Sequence, residues 1–216
     1  MSNEEPEAAG DAAGMSDVNR WVALTRENPG HSQWYIDRFR QMAEAGDDLV
    51  GEARMIDAMV PRGSRILDAG CGPGRVGAHL ALLGHDVIGV DLDPQLIDAA
   101  RHDHPETRWI VADLATFDPA EHGITDHFDA IVAAGNVMAF LAPSTRRSVL
   151  ERLGACLRGD GRLVTGFGAG RDYPFDAFFA DVAAAGLAVD LALSTWDLRP
   201  FTGDSEFLVA VLRLAR

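Results

Sequence analysis

Asp68, Gly70, Gly72 and Gly74 stand at alternate positions of ILDAGCGPGRVG, residues 66–77, directly after a short apolar run. Glycines so placed let the backbone turn sharply or come into contact with a ligand. A glycine-rich turn between a strand and a helix N-terminus also presents free backbone N–H groups, an arrangement suited to nucleotide-type cofactors. Asp91 in VIGVDLDP and Asp113 in WIVADL close two further apolar runs, and FDAIVAAGN places Ala134 and Asn136 after a fourth. An ionised carboxylate offers two acceptor oxygens and no donor, so this row of aspartates suits a ligand rich in hydroxyl and amino groups.

Elements must exist to carry these residues to one place. Apolar runs and helical spacing predict strands at 65–69, 86–90, 108–112, 128–134 and 162–166. They alternate with helices at 75–83, 94–101, 145–157 and 175–185. Asp93 and Pro94 supply an N-cap and an N1 proline to the helix at 94–101. Strands alternating with helices give a mostly parallel, doubly wound α/β sheet covered on both faces. Two β-leaning segments, 188–196 and 206–214, follow one another without a helix and predict an antiparallel pair at one edge, for seven strands in all. Ahead of the sheet, Trp34, Tyr35, Phe39 and Met42 share one helical face, as do Leu49, Val50, Ala53, Ile56 and Met59; Pro61 and Gly63 stop the second helix.

The chain divides accordingly into an acidic tail at 1–17, a helical extension or lid at 18–60 and a cofactor-binding domain at 61–216. The tail has five acidic residues, no basic ones and few large apolar side chains, so it is expected to stay disordered. With 216 residues, 47% hydrophobic and 24% charged, the remainder can bury a full core. A net charge of −14 disfavours nucleic acid and anionic membrane as partners. Two cysteines make no disulfide framework, and neither a signal peptide nor an apolar run long enough to cross a bilayer is present, so a cytoplasmic protein is expected.

Two templates compete for the glycine loop. The dinucleotide pattern G-x-G-x-x-G fails from Gly70, because its third glycine would be Arg75. From Gly72 it fits literally, through Gly74 and Gly77, with Asp91 nineteen residues beyond. The pattern D-x-G-x-G-x-G is filled completely by Asp68, Gly70, Gly72 and Gly74, and this resembles motif I of the class I S-adenosylmethionine-dependent methyltransferases. Asp91, Asp113 and FDAIVAAGN resemble that family's later strand-end motifs, and the paired terminal segments resemble its reversed last strand.

That resemblance implies a methyltransferase with S-adenosyl-L-methionine as cofactor. It implies that Gly70, Cys71, Gly72 and Gly74 approach the amino acid end and the ribose, and that Asp91, followed by Leu92, accepts from the ribose hydroxyls. Asp113 would accept from the adenine amino group beside the Leu114 backbone, Asp68 would orient the loop or the cofactor's ammonium through water, and Ala134 and Asn136 would also bind the cofactor. Arg54 in GEAR is read as a candidate for the cofactor carboxylate. An NAD-linked oxidoreductase and a non-catalytic cofactor-binding module remain alternatives.

Nothing in the sequence announces a catalytic base. The segment after the fourth strand lacks both the Asn/Asp-Pro-Pro-aromatic motif of nitrogen methylation and the aspartate of metal-dependent catechol-type relatives, which argues against both subfamilies; a small-molecule acceptor is expected. His102, His104, His122 and His127 are expected on the surface, and no metal is expected. Trp34, Tyr35, Tyr173 and Trp196 are candidates for an acceptor pocket or lid; neither the acceptor nor the oligomeric state follows from these residues.

Overall fold

The computed structural model describes residues 17–215. The tail expected at 1–17 lies outside them except for Asp17.

Five strands run parallel through the middle of the protein: β1 (Arg65–Ala69), β2 (Asp86–Asp91), β3 (Arg108–Val111), β4 (Phe128–Ala133) and β5 (Leu157–Gly168). β6 (Leu187–Leu193) and β7 (Phe207–Leu214) complete a seven-stranded sheet of order β3-β2-β1-β4-β5-β7-β6, in which β7 is antiparallel to both neighbours. The mostly parallel α/β sheet with a reversed last strand is therefore as expected. β7 does not lie outside β6; it is inserted between β5 and β6.

Strand alternation sends side chains to two cores. Leu67, Ala69, Ile88, Val90, Ile131 and Leu163 face α7 (Arg146–Ala155) and α8 (Phe175–Ala184). Ile66, Val87, Ala130, Val132 and Val164 face α3 (Gly51–Met59) and α4 (Arg75–Leu82), through Ala53, Ile56, Val76 and Leu80. A third cluster joins Cys71, Ala78, Trp109 and the residues Ile97 and Ala100 of α5 (Pro94–Asp103). The order of strands reverses between β1, whose chain continues to β2, and β4 on its other side. Open α/β sheets leave a ligand crevice beyond the strand ends at such a point.

Two helices roof this crevice. α1 (Arg20–Glu27), eight residues with no buried side chain, is not among the helices expected from the sequence. Its start is capped by Asn19, whose Oδ1 accepts from Trp21 N–H at 2.9 Å, and tertiary contacts hold the rest. α2 (His31–Glu44) buries Ser32 and Ile36, with Ile36 packed on Leu96 and Ala99 of α5. The face predicted from Trp34, Tyr35, Phe39 and Met42 exists, but it looks into the crevice instead of a core. A single-turn helix after β4, α6 (Val137–Phe140), was also not expected.

Candidate active site

The glycine loop follows β1 and is pinned from both sides. Gly70 and Cys71 N–H donate to Val90 O at 2.7 and 3.0 Å, and Gly72 N–H donates to Asp91 Oδ2 at 2.9 Å. Gly70, Gly72 and Gly74 all have positive φ (78°, 55° and 90°), a region L side chains rarely adopt. Their surroundings differ. A Cβ on Gly70 would collide with Val137 of α6, and one on Gly74 would lie 2.9 Å from the Trp109 ring. On Gly72 the nearest atom would be a Tyr35 ring carbon at 3.7 Å. Only Gly72 therefore uses its missing side chain to leave the loop open to the crevice. Gly74 serves the packing of α4 against Trp109 and does not line the crevice, contrary to the role expected from motif I.

Asp68, at the end of β1, is buried, and its Oδ2 accepts from Gly77 N–H at 2.8 Å in the first turn of α4. Burial pushes its carboxyl up to about 7, against the opposing pull of the Gly77 hydrogen bond and of Arg75. Asp91 accepts from Gly72 N–H with Oδ2 and from Asp93 N–H with Oδ1, each at 2.9 Å. Burial lifts Asp91 to about 6, and these two hydrogen bonds limit the rise. Asp113 is exposed, and its Oδ1 accepts from Ala115 N–H at 2.9 Å. Burial raises the Cys71 thiol as well, so it stays protonated and packs as an apolar group.

Both raised carboxyls hold protons in the folded state that the unfolded chain releases near 3.8. The associated stability is present below about pH 4 and is lost as pH rises through 6 and 7. For Asp68 the shift corresponds to about 4 kcal/mol at most. Urea unfolding of the ligand-free protein and of Asp68→Asn between pH 4.5 and 8 should thus show the variant gaining on the parent as pH rises. A stability difference that does not change with pH would rule out the raised Asp68 carboxyl.

Asp68, Gly70, Cys71, Gly72, Asp91, Leu92, Asp113, Leu114, Ala134 and Asn136 line one cavity of about 650 Å³, a volume within the range of small-molecule sites. Its roof is aromatic. The Trp21 ring lies 5.0 Å from His31, 5.2 Å from Tyr35 and 6.0 Å from Phe140, and Trp34 and Phe39 extend the wall. Trp196 and Phe207 line the same cavity from the β6–β7 end of the sheet.

Two further expected members lie outside the cavity. Arg54 is exposed, pairs with Asp48 at 2.6 Å, and faces a separate groove with Met55, Met59, Leu191 and Leu198. At 100° per residue it points about 200° away from Ile56, so adjacency in sequence misplaces it. Tyr173 is buried, stacked on Phe167 and edge-on to Phe178, and its hydroxyl donates to Asp181 Oδ2 at 2.7 Å.

Glu52, and the second set of partners of Asp93, are not indicated by the sequence reading. Glu52, on the inward face of α3, makes a bidentate pair with Arg75 at 2.6 and 2.7 Å, and the Arg75 guanidinium lies over Phe39 at 5.5 Å. Glu52 shares the helical face of Ala53 and Ile56, which is the signal that could have found it. Asp93 caps α5 through Gln95 N–H at 2.8 Å, and its other oxygen accepts from Trp21 Nε1–H at 2.7 Å and from the Ser32 hydroxyl. Among the described residues no three His, Cys, Asp or Glu side chains are grouped to hold a metal ion, and no helix is long and apolar enough to cross a membrane.

A glycine loop at the switch point of a 3-2-1-4-5-7-6 sheet, with carboxylates at the ends of β1 and β2, defines a nucleotide-cofactor fold of the methyltransferase type. Residues 66–161 match the family described as the methyltransferase domain. A crystal structure of a TehB-like S-adenosylmethionine-dependent methyltransferase from Corynebacterium glutamicum is 51% identical, over 87% of this chain and 100% of that one, with a TM-score of 0.82. The chain belongs to the S-adenosylmethionine-dependent methyltransferases of class I.

Among curated relatives, magnesium-protoporphyrin O-methyltransferase of Rhodobacter capsulatus is 35% identical over 142 residues, covering 62% of this chain and 57% of that protein. Ribosomal protein L11 methyltransferase of Aeromonas salmonicida is 35% identical over 85 residues, 39% of this chain and 28% of the other. The chain thus spans little more than half the length of the first of these relatives and less of the second. They act on different kinds of acceptor, and S-adenosylmethionine is what the family has in common.

Proposed function

We propose that this protein transfers the methyl group of S-adenosylmethionine to a small molecule. The observation that carries the reading is the roof: α1 and α2 close the crevice into a cavity of about 650 Å³ walled by aromatic rings, which suits a small acceptor better than the surface of a folded protein. The lining residues fit the cofactor. Asp91 has lone pairs left beyond its two backbone partners, and these suit the paired hydroxyls of a ribose. Gly72 leaves backbone open beside it, and the free Oδ2 of Asp113 lies at the next strand end, where an adenine amino group would need an acceptor.

When bound, the cofactor supplies an activated methyl on a sulfonium. The chain's own residues orient the two reactants and exclude water, so alignment is their main contribution. No side chain is assigned as base. The extension at 18–60 acts as lid to the domain at 61–216, and the two unpaired cysteines and the net charge of −14 fit a cytoplasmic protein that avoids nucleic acid.

S-adenosylhomocysteine at 100 times its dissociation constant should stabilise the protein by about 2.7 kcal/mol, with NAD at equal excess doing nothing. Stabilisation by NAD alone would reject the cofactor reading. With tritiated-methyl S-adenosylmethionine and a cell extract, label should enter the low-mass fraction. Label confined to precipitated protein or nucleic acid would reject the small acceptor.

A further inference from the structure

Arg171 is the unexplained charge of the cavity. It follows β5, lines the cavity and is half-buried, yet it makes no hydrogen bond, ion pair or ring contact with any described residue. The other arginines there are accounted for: Arg75 is paired with Glu52, and exposed Arg38 lies over Trp34 at 5.6 Å. The Arg171 guanidinium nitrogens stay open to the cavity, with their donor groups unused by the protein. Such a group is expected where a ligand completes it.

Its position is built. Gly166 and Gly168 point to the same face at the end of β5, and the space their side chains would fill is occupied. Over Gly166 lies the Trp196 ring, with a Phe207 ring carbon 3.3 Å from where a Cβ would be. Over Gly168 lie Arg171 Nε at 3.3 Å and Asn136 Oδ1 at 3.7 Å from the corresponding point. Asn136 is itself fixed, with φ of 68° and its Oδ1 accepting from Gly168 N–H at 2.9 Å. Side by side on one strand end there is thus a flat apolar seat and a planar cation.

We infer that the methyl acceptor is a small organic acid, its carboxylate held by the Arg171 fork and its apolar body seated on Trp196 and Phe207. The inference rests on the methyltransferase reading above and adds the acceptor's charge and shape. A guanidinium matches a carboxylate with two parallel N–H donors, which a lysine cannot do, so the site selects for geometry as well as sign. Arg171 is a specificity-determining residue and takes no proton.

The test is calorimetric titration of the protein saturated with S-adenosylhomocysteine, using phenylacetate and indole-3-acetate against their amides. At least one acid should bind tenfold or more tightly than its amide. Arg171→Ala should abolish that preference, Arg171→Lys should retain part of it, and both variants should keep the parent melting temperature and bind S-adenosylhomocysteine within about twofold of the parent. Equal binding of acid and amide, or a preference that survives Arg171→Ala, would overturn the inference. So would a tenfold loss of S-adenosylhomocysteine affinity in Arg171→Ala, since the guanidinium would then belong to the cofactor. Failure of the parent to bind S-adenosylhomocysteine is a different result and strikes the cofactor reading itself.

Discussion

Asp93→Ala should destabilise the ligand-free protein by about 2–4 kcal/mol and also weaken S-adenosylhomocysteine binding. The capping hydrogen bond to Gln95 N–H contributes about 0.5–2 kcal/mol of this. The rest comes from Trp21 Nε1–H and the Ser32 hydroxyl, which lose their acceptor; an unsatisfied buried donor costs about 1–3 kcal/mol. Affinity falls because these two bonds hold α1 and α2 over the cavity. Asp93→Asn retains a capping oxygen and should recover most of the stability. Urea unfolding with Trp fluorescence, and calorimetry with S-adenosylhomocysteine, would check both effects. A loss under 1 kcal/mol with unchanged affinity would mean that the roof does not depend on this carboxylate.

Asp91→Ala should weaken S-adenosylhomocysteine binding by about 10- to 100-fold at pH 8, a net loss of about 1.4–2.8 kcal/mol once the hydration lost by the parent carboxylate on binding is set against its charge-assisted hydrogen bonds. At that pH the parent carboxyl is ionised, since its raised value is about 6. The variant also frees the N–H groups of Gly72 and Asp93, so part of the loss comes from a looser loop. Asp91→Asn keeps one acceptor oxygen and should fall between the two. Binding of the alanine variant at parental strength would remove Asp91 from the cofactor site.

Buried parallel strands are short apolar runs, so β1 to β4 could be read along the chain, as could the aspartates that close β1, β2 and β3. The reversed β7 was legible because two β-leaning segments lacked a helix between them. What escaped depends on contacts between distant residues. Asp93 looks like a cap because its local partner is two residues away, whereas Trp21 and Ser32 are 72 and 61 away. Arg54 is the residue of GEAR whose positive charge suits a cofactor carboxylate, whereas the face shared with Ala53 and Ile56 points to Glu52. α1 is eight residues long with no buried side chain, and its Trp21 and Leu24 turn to the cavity. Arg171 lies in an irregular segment after β5, where no periodicity indicates what a side chain meets.

The insertion of β7 between β5 and β6 has a consequence for how the chain is made. β5 and β6 are synthesised first, yet they are not neighbours; each waits for residues 207–214 to fill the gap. Until then both present open hydrogen-bonding edges, and Leu163, Val164 and Phe167 lack the strand beside them. Such edges readily pair with the wrong chain. A nascent chain stopped short of Phe207 should therefore associate with other chains or be digested, and the sheet should close late, in a step that links residues far apart in sequence.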